Sequence, residues 1–278
     1  MTMSMKSSVQ SFLSIFIVSF LLGCVSTKET PSTSSESLNS HELDIQKFSE
    51  LSAKENEFKG WHFWKITPSK KLTKYYLQKH QGKTVLRADA LSSASGLIVP
   101  LRPKSVEKLK IAWSWKSLNH IASANNADTL NDDAPLRLML AFDGDKTKLS
   151  FKDQMAFEMA ELISGHEMPY ATLMYVWGGN APLESVVING HSTRVRMIVV
   201  DSNQSPVDEW RHHSRVIQDD FKKAFNEVPG KLIGVGVMTD SDNTKSEAHA
   251  FYGDIELISN KKAIQINHLN QVKDLSNQ

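Results

Sequence analysis

The sequence predicts an all-β domain, an antiparallel β-sandwich carrying one or two short helices. Apolar residues in the middle of the chain fall into short runs: Thr84–Ala88, Gly96–Val99, Leu109–Trp115, Leu136–Phe142, Ala171–Trp177, Thr193–Val200, Leu232–Thr239 and Ala250–Ile258. Within them aliphatic or aromatic side chains alternate, and Ser, Pro, Asp or Gly marks their ends, the pattern of half-buried strands. So many short strands in one chain suggest a sandwich. Two segments break the pattern with helical spacing. Phe151–Ile163 places Met155, Met159 and Leu162 at i, i+4 and i+7, and Ser214–Asn226 places Ile217, Phe221, Ala224 and Phe225 on one face before Pro229-Gly230. Each is expected to pack as a single helix on a sheet edge or end.

From the N-terminus, Lys6 precedes an apolar run, Phe12–Leu22, that is short for a bilayer span and reads as a signal peptide over residues 1–23. The run ends in Leu21-Leu22-Gly23-Cys24, which resembles the bacterial lipobox, so Cys24 is the expected site of acylation and the lipid bilayer the expected partner. As Cys24 is the only cysteine, a disulfide framework is excluded. Val25 follows it, not aspartate, a pattern similar to that of lipoproteins sent to the outer membrane, facing the periplasm. Residues 24–55, rich in Ser, Thr and Glu, read as a disordered tether; residues 56–260 form the sandwich domain, and residues 261–278 turn into a polar C-terminal tail.

Of 278 residues, 40% are hydrophobic and 23% charged, an ordinary globular composition. Basic and acidic side chains number 32 and 31, and the net charge of +1 excludes the polybasic footprint of a nucleic-acid binder.

The order of pieces carries two resemblances. The segment Ser92–Leu97, the strand with Trp113-Ser114-Trp115-Lys116 and the final Ala250–Leu257 strand resemble the galactose-binding-like jelly roll of many carbohydrate-binding modules. This implies a jelly-roll-like sandwich. Between Trp61 and Leu257 the chain looks like the bacterial domain-of-unknown-function family numbered 3047. That resemblance rests on the Trp-Ser-Trp-Lys strand, Asn131–Arg137, Leu173–Trp177 and Val237–Thr244, and it implies no biochemical activity.

The chemistry is therefore read from the residues. Asp128–Asp133 concentrates three carboxylates and an amide just before Arg137. Such a cluster repels itself unless a positive group sits in it; Arg137 could serve as a forked donor to one carboxylate, leaving Asp132 and Asp133 for a cation or sugar hydroxyls. The alternative is a solvated acidic loop. Asp240-Ser241-Asp242-Asn243-Thr244 places oxygens at alternate positions, like the start of a calcium loop, and Asp240 and Asp242 are the candidate ligands of a calcium ion. Lys245 stands where an EF-hand has glycine and Phe251 where it has glutamate, so the loop is not an EF-hand; a turn capping its own backbone is the alternative.

Trp113 and Trp115 share one strand face, which alternation turns toward the core. Tyr175 and Trp177 also share a face, and Trp177 precedes Gly178-Gly179-Asn180 at a loop mouth, where a ring could stack on a sugar. Trp210–Arg215 leads into the second helix, where Arg215 and Asp219 at i and i+4 are expected to pair. Hydrolase-elbow, phosphate-loop and zinc-protease motifs are absent from the sequence. The resulting expectation is an envelope lipoprotein binding a saccharide or another polar ligand, without catalysis, in a cleft of Trp115, Asp132, Asp133, Arg137, Tyr175, Trp177, Asp240, Asp242 and Asn243. One alternative is a glycan-cleaving enzyme at the same cleft, with Asp133 and either Asp240 or Asp242 as general acid and base, or with Tyr252 or a histidine beside Arg137 as a lyase base. The other is an envelope scaffold or protein-interaction module.

Overall fold

Strand alternation with β-branched and aromatic side chains produces two facing sheets in the computed structural model, which describes residues 45–259. The strands are β1 (His62–Trp64), β2 (Lys74–His80), β3 (Lys83–Leu91), β4 (Ala94–Lys104), β5 (Leu109–Ser117), β6 (Ala134–Phe142), β7 (Ala171–Trp177), β8 (Val186–Ile188), β9 (Val195–Asp201), β10 (Arg211–Val216), β11 (Leu232–Asp240) and β12 (Glu247–Ser259). Two helices, α1 (Phe151–Ser164) and α2 (Ile217–Phe225), interrupt them. One sheet has seven strands in the order β1-β4-β11-β6-β7-β9-β8, and the other has five, β10-β5-β12-β3-β2. Only the β7–β9 pair is parallel among these ladders. Strands β3 to β6 switch sheets at each step, and late strands β11 and β12 insert between early ones. This doubled-over winding is a jelly-roll β-sandwich.

The core lies between the sheets. Leu136, Leu138, Leu140 and Phe142 of β6 meet Ile111, Trp113 and Trp115 of β5 and Tyr252 of β12 in one buried cluster. Both tryptophans of the Trp-Ser-Trp strand turn inward, as alternation predicts, and Trp113 stacks on Tyr175 at 4.8 Å. The outer faces differ. On the seven-stranded sheet, register aligns Ile98, Gly236, Met139, Met174 and Met197 across five strands, and Met139 and Met197 are buried. On the five-stranded sheet, the outward residues of β2 and β3 are mostly polar, and Tyr76, Gln78, Arg87 and Asp89 are half-exposed.

Three expectations change. The folded domain begins upstream of residue 56: Ile45, Phe48 and Leu51, placed in the tether by composition, are buried in the core cluster, and Phe48 stacks on Trp61 at 4.8 Å. A few apolar residues in a polar stretch suffice to seat it. The second helix starts at Ile217, because Arg211–Val216 pairs antiparallel with the free edge of β5. In α1 the helical spacing is right but its face is reversed: only Phe157 is buried, whereas Met155, Met159 and Leu162 face solvent. Ser150 caps this helix by accepting from the Asp153 N–H at 3.1 Å, and Gly165 ends it in the left-handed conformation.

The signal peptide, Cys24, most of the tether and the C-terminal tail lie outside the described residues. Among the described residues, no helix is long and apolar enough to cross a membrane.

Candidate functional site

The acidic segments of the sequence do meet. Arg137 on β6 and Asp240 on β11 both point to the outer side of the seven-stranded sheet, at the end where Asp132 and Asp133 enter β6. Arg137 Nε and one Nη donate to the two oxygens of Asp240 at 2.9 and 3.1 Å, and the same Nη donates to Asp132 Oδ1 at 2.8 Å. Its second Nη lies 3.2 Å from Met197 Sδ. Asp133 accepts from the Thr244 N–H at 2.7 Å, the Thr244 hydroxyl at 2.6 Å and the Asn243 N–H at 3.2 Å. Asp242 pairs with Lys70 at 2.6 Å, and the Asn243 side chain donates to the Thr129 carbonyl at 3.0 Å. Oxygen atoms of Asp133, Asp240 and Asp242 lie within 4.8 Å of one another.

This cluster is a buried clip between two loops. Burial pushes the Asp240 carboxyl up to about 7; Arg137 pulls against that, while Asp132 and Asp133 add to it. Burial opposes the charge on Arg137, and Asp132 and Asp240 outweigh it, holding the guanidinium firmly protonated. Asp133, Arg137 and Asp240 are fully buried, and their polar groups are taken up by protein partners. Tyr252, the candidate lyase base, is buried too: its hydroxyl donates to the Met238 carbonyl at 2.6 Å, and burial pushes it well above the usual phenol range.

The aromatic half of the expected cleft does not join this cluster. Trp115, Tyr175 and Trp177 are fully buried and belong to the core between the sheets, the opposite face from Arg137. Period-two geometry explains the separation, since Tyr175 stands opposite Leu138 while Arg137 stands opposite Val176. Trp115 Nε1 donates to the buried Asp201 at 2.8 Å, a carboxylate also bonded by His213 at 2.8 Å and Arg211 at 3.0 Å. Arg215 pairs with Asp220 and Glu184 instead of Asp219, because it sits on β10 and reaches the helix that follows.

A second polar cluster occupies the open outer face of the five-stranded sheet, and sequence reasoning missed it. Register aligns Tyr76, Arg87, Phe251 and Lys116 across four strands, with Asp89 and His249 in the adjacent row. Asp89 collects the polar groups. It accepts from Tyr76 Oη at 2.9 Å and Arg87 Nε at 2.8 Å, and the Arg87 guanidinium and His249 Nδ1 each approach the same oxygen to 2.6 Å. Burial pushes the Asp89 carboxyl up, but bonds from Arg87, His249 and Tyr76 outweigh it and hold the group below its ordinary value. Burial and the bond to Asp89 together raise the Tyr76 phenol. Beside them Phe251 stacks on His80 at 4.8 Å and lies 6.3 Å from Trp210. Three strand spacings make the aligned row about 14 Å wide. The only local signal was the alternation in Lys74–His80 and in Arg87-Ala88-Asp89. That these rows align with His249 and Phe251 depends on a pairing more than 150 residues apart in sequence.

Fold and surface thus define a jelly-roll β-sandwich with one outer sheet face largely apolar and the other more polar and half-buried. The chain belongs to the family described as protein of unknown function DUF3047, whose model matches residues 59–256. No curated protein matches it. Among solved structures it is similar to a family 11 carbohydrate-binding module from Clostridium thermocellum in complex with a β-1,3-1,4-mixed-linked tetrasaccharide. The identity is 12% over 75% of this chain and 94% of that one, with a TM-score of 0.35. It is also similar to the K1 cleaved adhesin domain of Lys-gingipain from Porphyromonas gingivalis W83 (8% identity, 78% and 97% covered, TM-score 0.34). A cyclase from Fischerella sp. TAU gives 9% identity, 76% and 92% covered, and a TM-score of 0.35. A sandwich hosts many activities, so function is argued from the site.

Proposed function

We propose that this protein binds a saccharide, without cleaving it, on the outer face of the five-stranded sheet, and that acylated Cys24 tethers it to the bacterial outer membrane facing the periplasm. One observation carries the saccharide reading: Tyr76, Arg87, Asp89 and His249 are mutually oriented by hydrogen bonds on a half-exposed sheet face. Sugar hydroxyls need such preset donors and acceptors, because groups that are already oriented lose little freedom on binding. Binding rather than cleavage is favoured by the same bonds. Asp89 is held ionised by three donors and is a poor proton source, and the raised Tyr76 phenol is a poor base. The buried acidic clip offers less to a saccharide: Asp133 and Asp240 are buried on protein partners, and in Asp242 only Oδ1 is left without one.

The test is titration calorimetry of the whole chain, in non-ionic detergent, against a panel of neutral and acidic oligosaccharides. Binding of at least one is expected, weakened tenfold or more in Tyr76→Ala and Asp89→Ala proteins that retain native circular dichroism. Failure of the whole panel, or binding indifferent to both substitutions, would overturn the proposal.

A further inference from the structure

We infer that the saccharide recognised on this face carries anionic groups, read by Arg87 and Lys74; the inference rests on the reading of the face given above. An aromatic ring that stacks on a neutral sugar must offer it a bare face. Phe251 and Tyr76, the two rings of the aligned row, do not. Phe251 is only 4% exposed, with the Arg87 guanidinium 4.8 Å from its centroid, Lys116 Nζ 5.5 Å away and His80 stacked on it. The Tyr76 ring has Lys74 Nζ 5.2 Å from its centroid. Phe251 and Tyr76 therefore act as seats for cations, an arrangement in which the ring quadrupole holds the positive charge in place. Beside the half-exposed Trp210 and the Asp89 carboxylate, a ligand meets the Arg87 guanidinium and the Lys74 ammonium.

The acidic side chains nearby orient these cations. Asp89 takes the Nε edge of Arg87, and Asp208 bonds Lys116 at 2.7 Å from a side chain that is itself 74% exposed. With one edge fixed, the guanidinium is preset in plane for a second, planar acceptor, the bidentate geometry that suits a carboxylate or a sulfate. Lys74 is exposed one row away, whereas both nitrogens of the His249 ring face carboxylates, Nδ1 at 2.6 Å from Asp89 and Nε2 at 3.5 Å from Glu247. Preset cations at intervals along one face match the repeating charges of a uronate or sulfated glycan, and fit a neutral glucan poorly.

The experiment compares three probes on the whole chain: oligogalacturonate, a sulfated oligosaccharide, and a neutral β-glucan oligosaccharide of equal length. The expected result is that an acidic probe binds at least tenfold more tightly than the neutral one, with an affinity that falls as sodium chloride is raised. Whether the carboxylated or the sulfated probe binds more tightly identifies the anionic group. Arg87→Gln and Lys74→Gln should each weaken the acidic probe by about tenfold, and Lys74→Gln should leave any neutral binding unchanged. Lys74 is exposed, so its variant keeps the test valid should Arg87→Gln unfold. Equal binding of neutral and acidic probes would overturn the anionic inference and leave saccharide binding standing. Binding of no probe would overturn both, and acidic binding unmoved by either substitution would place recognition elsewhere.

Discussion

Replacing Arg137 by Met tests the reading of the acidic clip. The guanidinium has a side-chain exposure of 3%, and its partners Asp132 and Asp240 stand at 10% and 6%. Removing one partner of a buried pair leaves an uncompensated charge, at a cost of about 3–5 kcal/mol. For a domain of this size about 1 kcal/mol moves the melting temperature by roughly 2–4 °C, so a fall of roughly 6–20 °C is expected near pH 8. The pH dependence is the sharper part. Asp240 has its folded value raised to about 7, above the ordinary carboxylate value of the unfolded chain. Its contribution to stability is therefore fully present below about pH 4 and is lost as pH rises through 7. Without Arg137 that folded value climbs further, so ionising Asp240 at pH 8 costs the variant more than the wild type. At pH 5 the group is protonated in both folded proteins, and the deficit shrinks. Calorimetric unfolding at pH 5 and pH 8 measures this, and Asp240→Asn added to Arg137→Met should recover part of the loss at pH 8. A deficit equal at the two pH values, or below about 1 kcal/mol at pH 8, would refute the account of the clip.

Four further outcomes are expected. Trp115→Phe removes the Nε1 donor of the buried Asp201 and should cost about 1–3 kcal/mol in urea unfolding; an unchanged midpoint would show that the bond contributes nothing. Gly96→Ala puts a Cβ 2.6 Å from the Val237 carbonyl, a backbone atom in the middle of a sheet, and about 1–3 kcal/mol should be lost. Leu162→Glu should change stability by less than about 0.5 kcal/mol, because that side chain is 80% exposed on α1; a large loss would mean that α1 buries its apolar stripe. Cys24→Ser should move the protein from the membrane fraction to the soluble fraction on cell fractionation, and retention with the membranes would rule out the acyl anchor.

Much of the fold is legible in the sequence, because period-two alternation is local. The strand holding Trp113 and Trp115, the β6 run Leu136–Phe142 and the β7 run Ala171–Trp177 are all readable from their own residues. The convergence of Asp133, Arg137 and Asp240 is partly legible, since a polar segment leading into a buried strand must find partners. What alternation cannot supply is which sheet face a second strand shares. Tyr175 and Arg137 lie on adjacent strands yet point to opposite sides, and the expected common cleft fails on that one-residue offset. Edge pairing is similarly silent: Arg211–Val216 looks like the run-up to a helix until the free edge of β5 captures it.

The two outer faces explain why the recognition surface was harder to see than the clip. In β6 the run Ala134–Leu140 is buried on both sides, and such a strand reads as continuous apolar sequence, in which a lone Arg137 stands out. In β2 the buried positions alternate with exposed or half-exposed ones from Lys74 to Gln78, so polar residues there look like the ordinary solvated side of a half-buried strand. The distinction between a solvated side and a binding surface lies in hydrogen bonds across strands. Asp89 is joined by Tyr76 from β2, Arg87 from its own strand and His249 from β12, and each alone would be an unremarked surface residue. Held on one carboxylate, these three side chains have lost much of their freedom before any ligand arrives. That preset order is why we propose ligand recognition on this face of the five-stranded sheet rather than at the more conspicuous acidic run.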